Sequence, residues 1–120
     1  MIQNKIKIMK TFKQKKYSNL INNYFNKLFL LESKTKYKNI LITVLYVYIN
    51  KILNYSKIYI SIYPNIYNNI IKNKLNLNKK YYKKKLSFIF KNKFKIPNIY
   101  FLLSNQKILN FINFYKFNLN

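Results

Sequence analysis

The segment Lys79-Lys80-Tyr81-Tyr82-Lys83-Lys84-Lys85 carries five lysines in seven residues, and Lys91, Lys93 and Lys95 continue the run. Ammonium groups at that density suit a polyanionic backbone, where each neutralised phosphate releases condensed counterions. The two tyrosines among them can stack on bases or pack inward. A second strip near the start has Lys13, Lys15 and Lys16 following Lys5, Lys7 and Lys10. The alternative for both runs is a solvated face. Little other chemistry can be assembled. His and Cys are absent, which excludes Cys/His zinc sites, disulfides and nucleophile–histidine pairs. Gly is absent too, so neither a phosphate loop nor a glycine-rich dinucleotide turn can form. Glu32 is the only acid, whereas catalytic carboxylate pairs and carboxylate metal cages need more than one. The expectation is a non-enzymatic chain with no cofactor and no metal.

The whole composition points the same way. In 120 residues, 24 lysines stand against one acid, for a net charge of +23. Gly, Ala, Arg, His, Asp, Trp and Cys are missing, while Lys, Asn, Ile, Tyr and Phe dominate. The abundant set uses A/T-rich codons, so an A+T-biased genome, as in a reduced bacterium or an organelle, supplies part of the charge. A charge this large still repels itself in a folded chain and persists where a polyanion neutralises it. Half the residues are hydrophobic, enough to bury a core. The longest uncharged stretches, Ile58–Ile71, Asn39–Asn50 and Ile96–Gln106, fall short of the ~18 to 20 apolar residues of a spanning helix. Met1–Lys16 is basic without a continuous apolar core, so it does not read as a secretory signal, although an acid-free basic start is also compatible with an organelle transit peptide. The expectation is a soluble, cytoplasmic monomer with no membrane partner.

These lysines need elements to position them. From Thr11, Tyr17, Leu20, Ile21, Tyr24, Phe25, Leu28 and Leu31 recur at helical steps, predicting an amphipathic helix of about twenty residues. The lysine-rich connection Ser33–Asn39 follows, with Glu32 expected on the surface as an ion-pair partner. Ile40–Ile49 reads as a largely buried strand, and Tyr55–Tyr63 as a second strand, joined to the first by a five-residue hairpin loop. On the second strand Ser56, Ile58, Ile60 and Ile62 share one face; Lys57, Tyr59, Ser61 and Tyr63 share the other. Tyr59 and Tyr63 can form a stacking platform, but a covering helix is the preferred expectation. Pro64 stops the strand and Asn65 is read as a helix N-cap. A helix over Ile66–Leu75 would bury Tyr67, Ile70, Ile71 and Leu75. After polar Asn76–Lys80, a helix from Lys79 to Phe94 would bury Tyr82, Leu86, Ile89 and Phe90, ending before Pro97. Asn98–Leu103 is a last strand and Ile108–Phe114 a short terminal helix. Without Gly, positive φ falls to Asn, with Asn54 and Asn78 the expected sites. The expectation is an α+β fold at 11–114, in the order helix-strand-strand-helix-helix-strand. A three-stranded sheet is packed by helices on one side, between a basic tail at 1–10 and a C-terminal tail at 115–120.

Three segments in this order resemble the ribosome-binding factor A family. Val44–Ser61 is similar to its central signature, in which a strand leads through Ser-x-Asp-Leu into Ala-Lys-Val-Tyr-Val; Leu53, Lys57, Ile58, Tyr59 and Ile60 match. Its Ile-Arg-x-x-Leu helix and Val-Pro-Glu-Leu-x-Phe strand resemble Lys83–Ser87 and Ile96–Phe101, with the spacing from Lys84 to Pro97 kept. Ile112 falls near the family's closing helix. The likeness runs from about Lys13 to Phe114. The family's acids are replaced by Ile52 and Ser104, and its Ala/Ser-x-Gly kink by Lys79-Lys80-Tyr81.

The resemblance implies a single type II KH domain acting as a non-enzymatic factor on the small ribosomal subunit. It would bind rRNA near the decoding centre and the 5′-end helix late in maturation, assist rRNA end processing, and leave before translation. The KH turn that approaches the RNA backbone maps onto Asn78–Lys85. The RNA-binding candidates are thus Lys79, Lys80, Lys83, Lys84, Lys85, Lys91, Lys93, Lys95, Lys13, Lys15 and Lys16. The alternatives are a structural ribosomal protein of an organelle, or a basic peripheral membrane protein on anionic lipid.

Overall fold

A capping box at Thr11 starts the first helix. The Thr11 hydroxyl accepts the Gln14 N–H, and the Gln14 carboxamide accepts the Thr11 N–H, which satisfies donors that a helix start leaves open. The resulting α1 spans Phe12–Glu32. The computed structural model describes residues 9–90 and 96–104. The expected terminal helix at 108–114 and the tail at 115–120 lie outside the described residues, as do positions 1–8. Met9 is buried and the Lys10 N–H donates to Gln14, so positions 9 and 10 belong to the fold rather than to a loose tail.

The apolar stripe of α1 is Tyr17, Ile21, Phe25 and Phe29, in strict four-residue steps. Leu20 and Leu31, expected inside, are exposed, and Phe29 takes their place. The polar residues beside the stripe explain the shift. Gln14 donates to the Ile49 carbonyl at 2.9 Å and Ser18 to the Val47 carbonyl at 2.6 Å. Asn26 accepts the Val44 N–H at 2.8 Å and donates to the Val44 carbonyl at 3.2 Å. The helix is therefore rotated so that side chains at 14, 18 and 26 meet backbone groups of the first strand, which would otherwise be open at the sheet edge.

That strand, β1 (Leu41–Ile49), pairs antiparallel with β2 (Tyr55–Tyr63) through the expected five-residue loop. The Asn50 carboxamide oxygen organises the loop by accepting the N–H groups of Asn54 and Tyr55. Positive φ occurs at Asn39 and Leu53, not at Asn54 or Asn78. At Leu53 burial of the side chain offsets the strain of a left-handed backbone. A register shift between Val44 and Tyr46 marks a bulge in β1. β3 (Asn98–Leu103) lies parallel to β2, giving a mixed three-stranded sheet in the order β1-β2-β3.

Between β2 and β3 the chain forms a 3-10 turn at Asn65–Tyr67, then α2 (Asn68–Leu77) and α3 (Lys79–Lys85), followed by a 3-10 turn at Leu86–Phe88. Asn65 makes no side-chain cap, because the helical turn starts from Pro64. Ile71 and Leu75, four residues apart on α2, are buried as expected, but Ile70 beside them and Tyr67 in the 3-10 turn are exposed. The helix expected to run to Phe94 ends at Lys85, and Phe90 still reaches the core to stack on Tyr17 at 4.8 Å. The core draws on α1 and all three strands, and its aromatic part lies where α1 and α3 meet β3, with Phe25, Phe29, Tyr82 and Phe101 packed edge to face. The architecture is α+β. Among the described residues, no helix is long and apolar enough to cross a membrane.

Candidate nucleic-acid interface

One residue, Asn78, separates α2 from α3, where a polar break of five had been expected. Its backbone (φ −100°, ψ 20°) leaves the helical path without positive φ, and its N–H still closes on the Lys74 carbonyl at 3.0 Å. The bulky Lys79-Lys80-Tyr81 sequence at this kink thus needs no glycine.

Adjacent tyrosines then divide the two sides of α3. Tyr82 is fully buried, and its hydroxyl donates to Glu32 at 2.8 Å. Burial pushes its phenol far above the usual tyrosine range; the bond to Glu32 and the nearby Tyr37 phenol add to the shift. Glu32 is therefore not a surface ion-pair partner. It is 6% exposed and fastens α3 to the end of α1. An acceptor was needed for a phenol buried among four aromatic rings, and the single acid meets that need.

Tyr81 is 44% exposed and packs its ring against Tyr82 at 5.0 Å. The Lys36 ammonium lies 4.7 Å from its centroid and the Lys85 ammonium 5.2 Å. Lys36 is also 5.2 Å from the Tyr82 ring and 5.5 Å from the Tyr37 ring. At the other flank, Lys79 lies 4.4 Å over Tyr100, and Lys83 donates to the Asn98 carboxamide at 2.9 Å. Lys80 and Lys84 are exposed.

Lys79, Lys80, Lys83, Lys84 and Lys85 thus share one short helix, and the connection after α1 adds Lys36. That residue was missed from sequence; the available signal was the Lys34, Lys36, Lys38 alternation just after the only acid. Lys13, Lys15 and Lys16 are exposed in the first turns of α1. At about 1.5 Å per residue, they stand more than ~20 Å along the helix from Glu32, so they do not join this cluster. Lys91, Lys93 and Lys95 lie outside the described residues. The sheet tyrosines do not make a second platform. Tyr59 is buried 6.1 Å from the Tyr46 ring, with its phenol raised by burial and then by Tyr55. Tyr63 is exposed rather than covered by a helix. The α3 cluster can offer ammonium groups to successive phosphates, and its only neighbouring carboxylate is turned inward.

No protein-family model matches the chain, and no curated protein matches it in sequence.

Proposed function

We propose that this chain is a non-enzymatic RNA-binding factor of the ribosome-binding factor A kind, built as a small type II KH-like domain. It would act on small-subunit rRNA during late maturation and end processing. The observation that carries the reading is α3, whose five lysines follow a one-residue kink and rest on a scaffold anchored by Glu32. The helix-strand-strand-helix-helix-strand order and the mixed sheet are compatible with a KH-like domain. Lys79, Lys80, Lys83, Lys84 and Lys85 would neutralise phosphates at the kink. Lys13, Lys15 and Lys16 would touch a more distant part of the same RNA. Counterion release gives such contacts a steep salt dependence, and recognition follows RNA shape rather than base edges.

The test is cosedimentation of the chain with ribosomal particles from its host, at low and moderate salt. Confinement to free small subunits, with loss as salt rises, supports a maturation factor. Retention in translating ribosomes makes it a structural ribosomal protein instead. Absence from every ribosomal fraction overturns the reading.

A further inference from the structure

Tyr81 packs its ring on Tyr82 but stays half-exposed, and two ammonium groups gather at that ring. Tyr82 beside it is fully buried and hydrogen-bonded, whereas Tyr81 leaves nearly half its surface in water with Lys36 and Lys85 within 5.2 Å of its centroid. These lysines come from different elements, the α1–β1 connection and the end of α3. Glu32, the only acid, is committed to Tyr82, so no carboxylate competes for either ammonium. The ring is an aromatic surface flanked by cations, which matches a nucleotide: a flat base with a phosphate beside it.

We infer that Tyr81, Lys36 and Lys85 form a subsite for one unpaired nucleotide of RNA, with the base stacked on the Tyr81 ring and the flanking phosphates held by the two lysines. This rests on the RNA-binding reading above and adds a preference to it. An exposed ammonium–ring contact is worth roughly 2- to 5-fold in an equilibrium, and a base stacked on an aromatic side chain roughly 5- to 100-fold. A base therefore displaces a lysine from the ring, and the released ammonium moves onto phosphate. Bases inside a duplex are already stacked and paired, so only an unpaired one reaches the ring. The subsite is sequence-tolerant, because every base offers a π face.

The chain contains no tryptophan, so a Tyr81→Trp variant reports stacking without background. The probes are an unstructured ten-nucleotide RNA and the blunt duplex of the same strand. Quenching of the variant's emission by the single strand and not by the duplex is expected. Tyr81→Leu should weaken single-strand binding roughly 5- to 100-fold and duplex binding less than about 2-fold, with Tyr81→Phe restoring it. If both RNAs bind without quenching, or Tyr81→Leu leaves single-strand affinity unchanged, the subsite is wrong while the lysine reading stands. If neither RNA binds, the RNA-binding reading falls and the subsite with it.

Discussion

Helix α1 and the α2–α3 pair hold opposite edges of one sheet by different means. At the β1 edge, Gln14, Ser18 and Asn26 bond three stretches of strand backbone with uncharged groups that are buried or half-buried. At the β3 edge one carboxamide does this among the described residues. Asn76 accepts the Phe101 N–H at 3.0 Å and donates to its carbonyl at 2.9 Å, repeating the grip of Asn26 on Val44. Beside the buried packing of Tyr82 on Phe101, lysine ends add two outer ties to β3, Lys83 on Asn98 and Lys79 on Tyr100. The α1 side thus relies on buried or half-buried bonds, whereas the α2–α3 side adds lysine ends that the proposed polyanion would recruit. Glu32 and Tyr82 join the two halves.

Breaking that joint should have the largest effect. Glu32→Ala leaves the Tyr82 hydroxyl buried without its acceptor and is expected to cost about 3 kcal/mol in urea unfolding. Glu32→Gln, which keeps an acceptor, should lose about half as much. A loss under ~0.5 kcal/mol would return Glu32 to the surface role first expected of it.

Tyr82→Phe is expected to cost about 2 kcal/mol at neutral pH, and its pH dependence sharpens the point. In the unfolded chain the phenol ionises near pH 10, whereas burial keeps it protonated in the fold well beyond that. Its contribution is complete below about pH 10 and falls as pH rises further, because only the unfolded chain releases the proton. The variant lacks this loss, so its deficit relative to the parent should shrink above pH 10. A gap that stays constant would show that Tyr82 ionises normally.

The two edges can be set against each other directly. Asn76→Ala should cost about 1.5–2 kcal/mol, since it frees both backbone groups of Phe101, whereas Asn26→Ala should cost about 1 kcal/mol because Gln14 and Ser18 still hold β1. Hydrogen exchange at the Phe101 amide should accelerate more than exchange at the Val44 amide. Equal costs would mean that the edges are equally secured. Smallest of all, Lys79→Ala should change stability by less than about 1 kcal/mol while weakening RNA binding and flattening its salt dependence by about one phosphate contact.

The strands were the most readable part of the sequence. Alternation in Tyr55–Tyr63 and Asn98–Leu103, and the Asn-rich loop between Ile49 and Tyr55, place elements where the structure has them. Local periodicity settles such elements because the sheet buries one face. The orientation of α1 was not readable, because its buried face includes Gln14, Ser18 and half-buried Asn26, which earn their places only through a strand some 20 to 35 residues away. Among 21 asparagines, nothing local distinguishes Asn26 and Asn76 from those on the surface. Glu32 was misread for a related reason: its partner lies 50 residues on, and an isolated charge is ordinarily solvated. For the candidate site, lysine density located α3, but Lys36 joins it only through a turn whose path depends on tertiary contacts.

The Asn76 clip also bears on how this molecule behaves in company. A sheet edge is a template on which another chain can add a strand, and natural proteins guard such edges against it. β3 is six residues long, rich in Leu, Ile and aromatic side chains and without a charge, while its middle residue is occupied by a carboxamide from its own helix. Loosening that carboxamide would expose a segment suited to polymerisation as well as weaken the fold. At high concentration, with no polyanion bound, the strong mutual repulsion of chains carrying +23 would be the second guard. On the proposed RNA-binding reading, RNA fragments would neutralise that repulsion and leave Asn76 as the guard of this edge among the described residues.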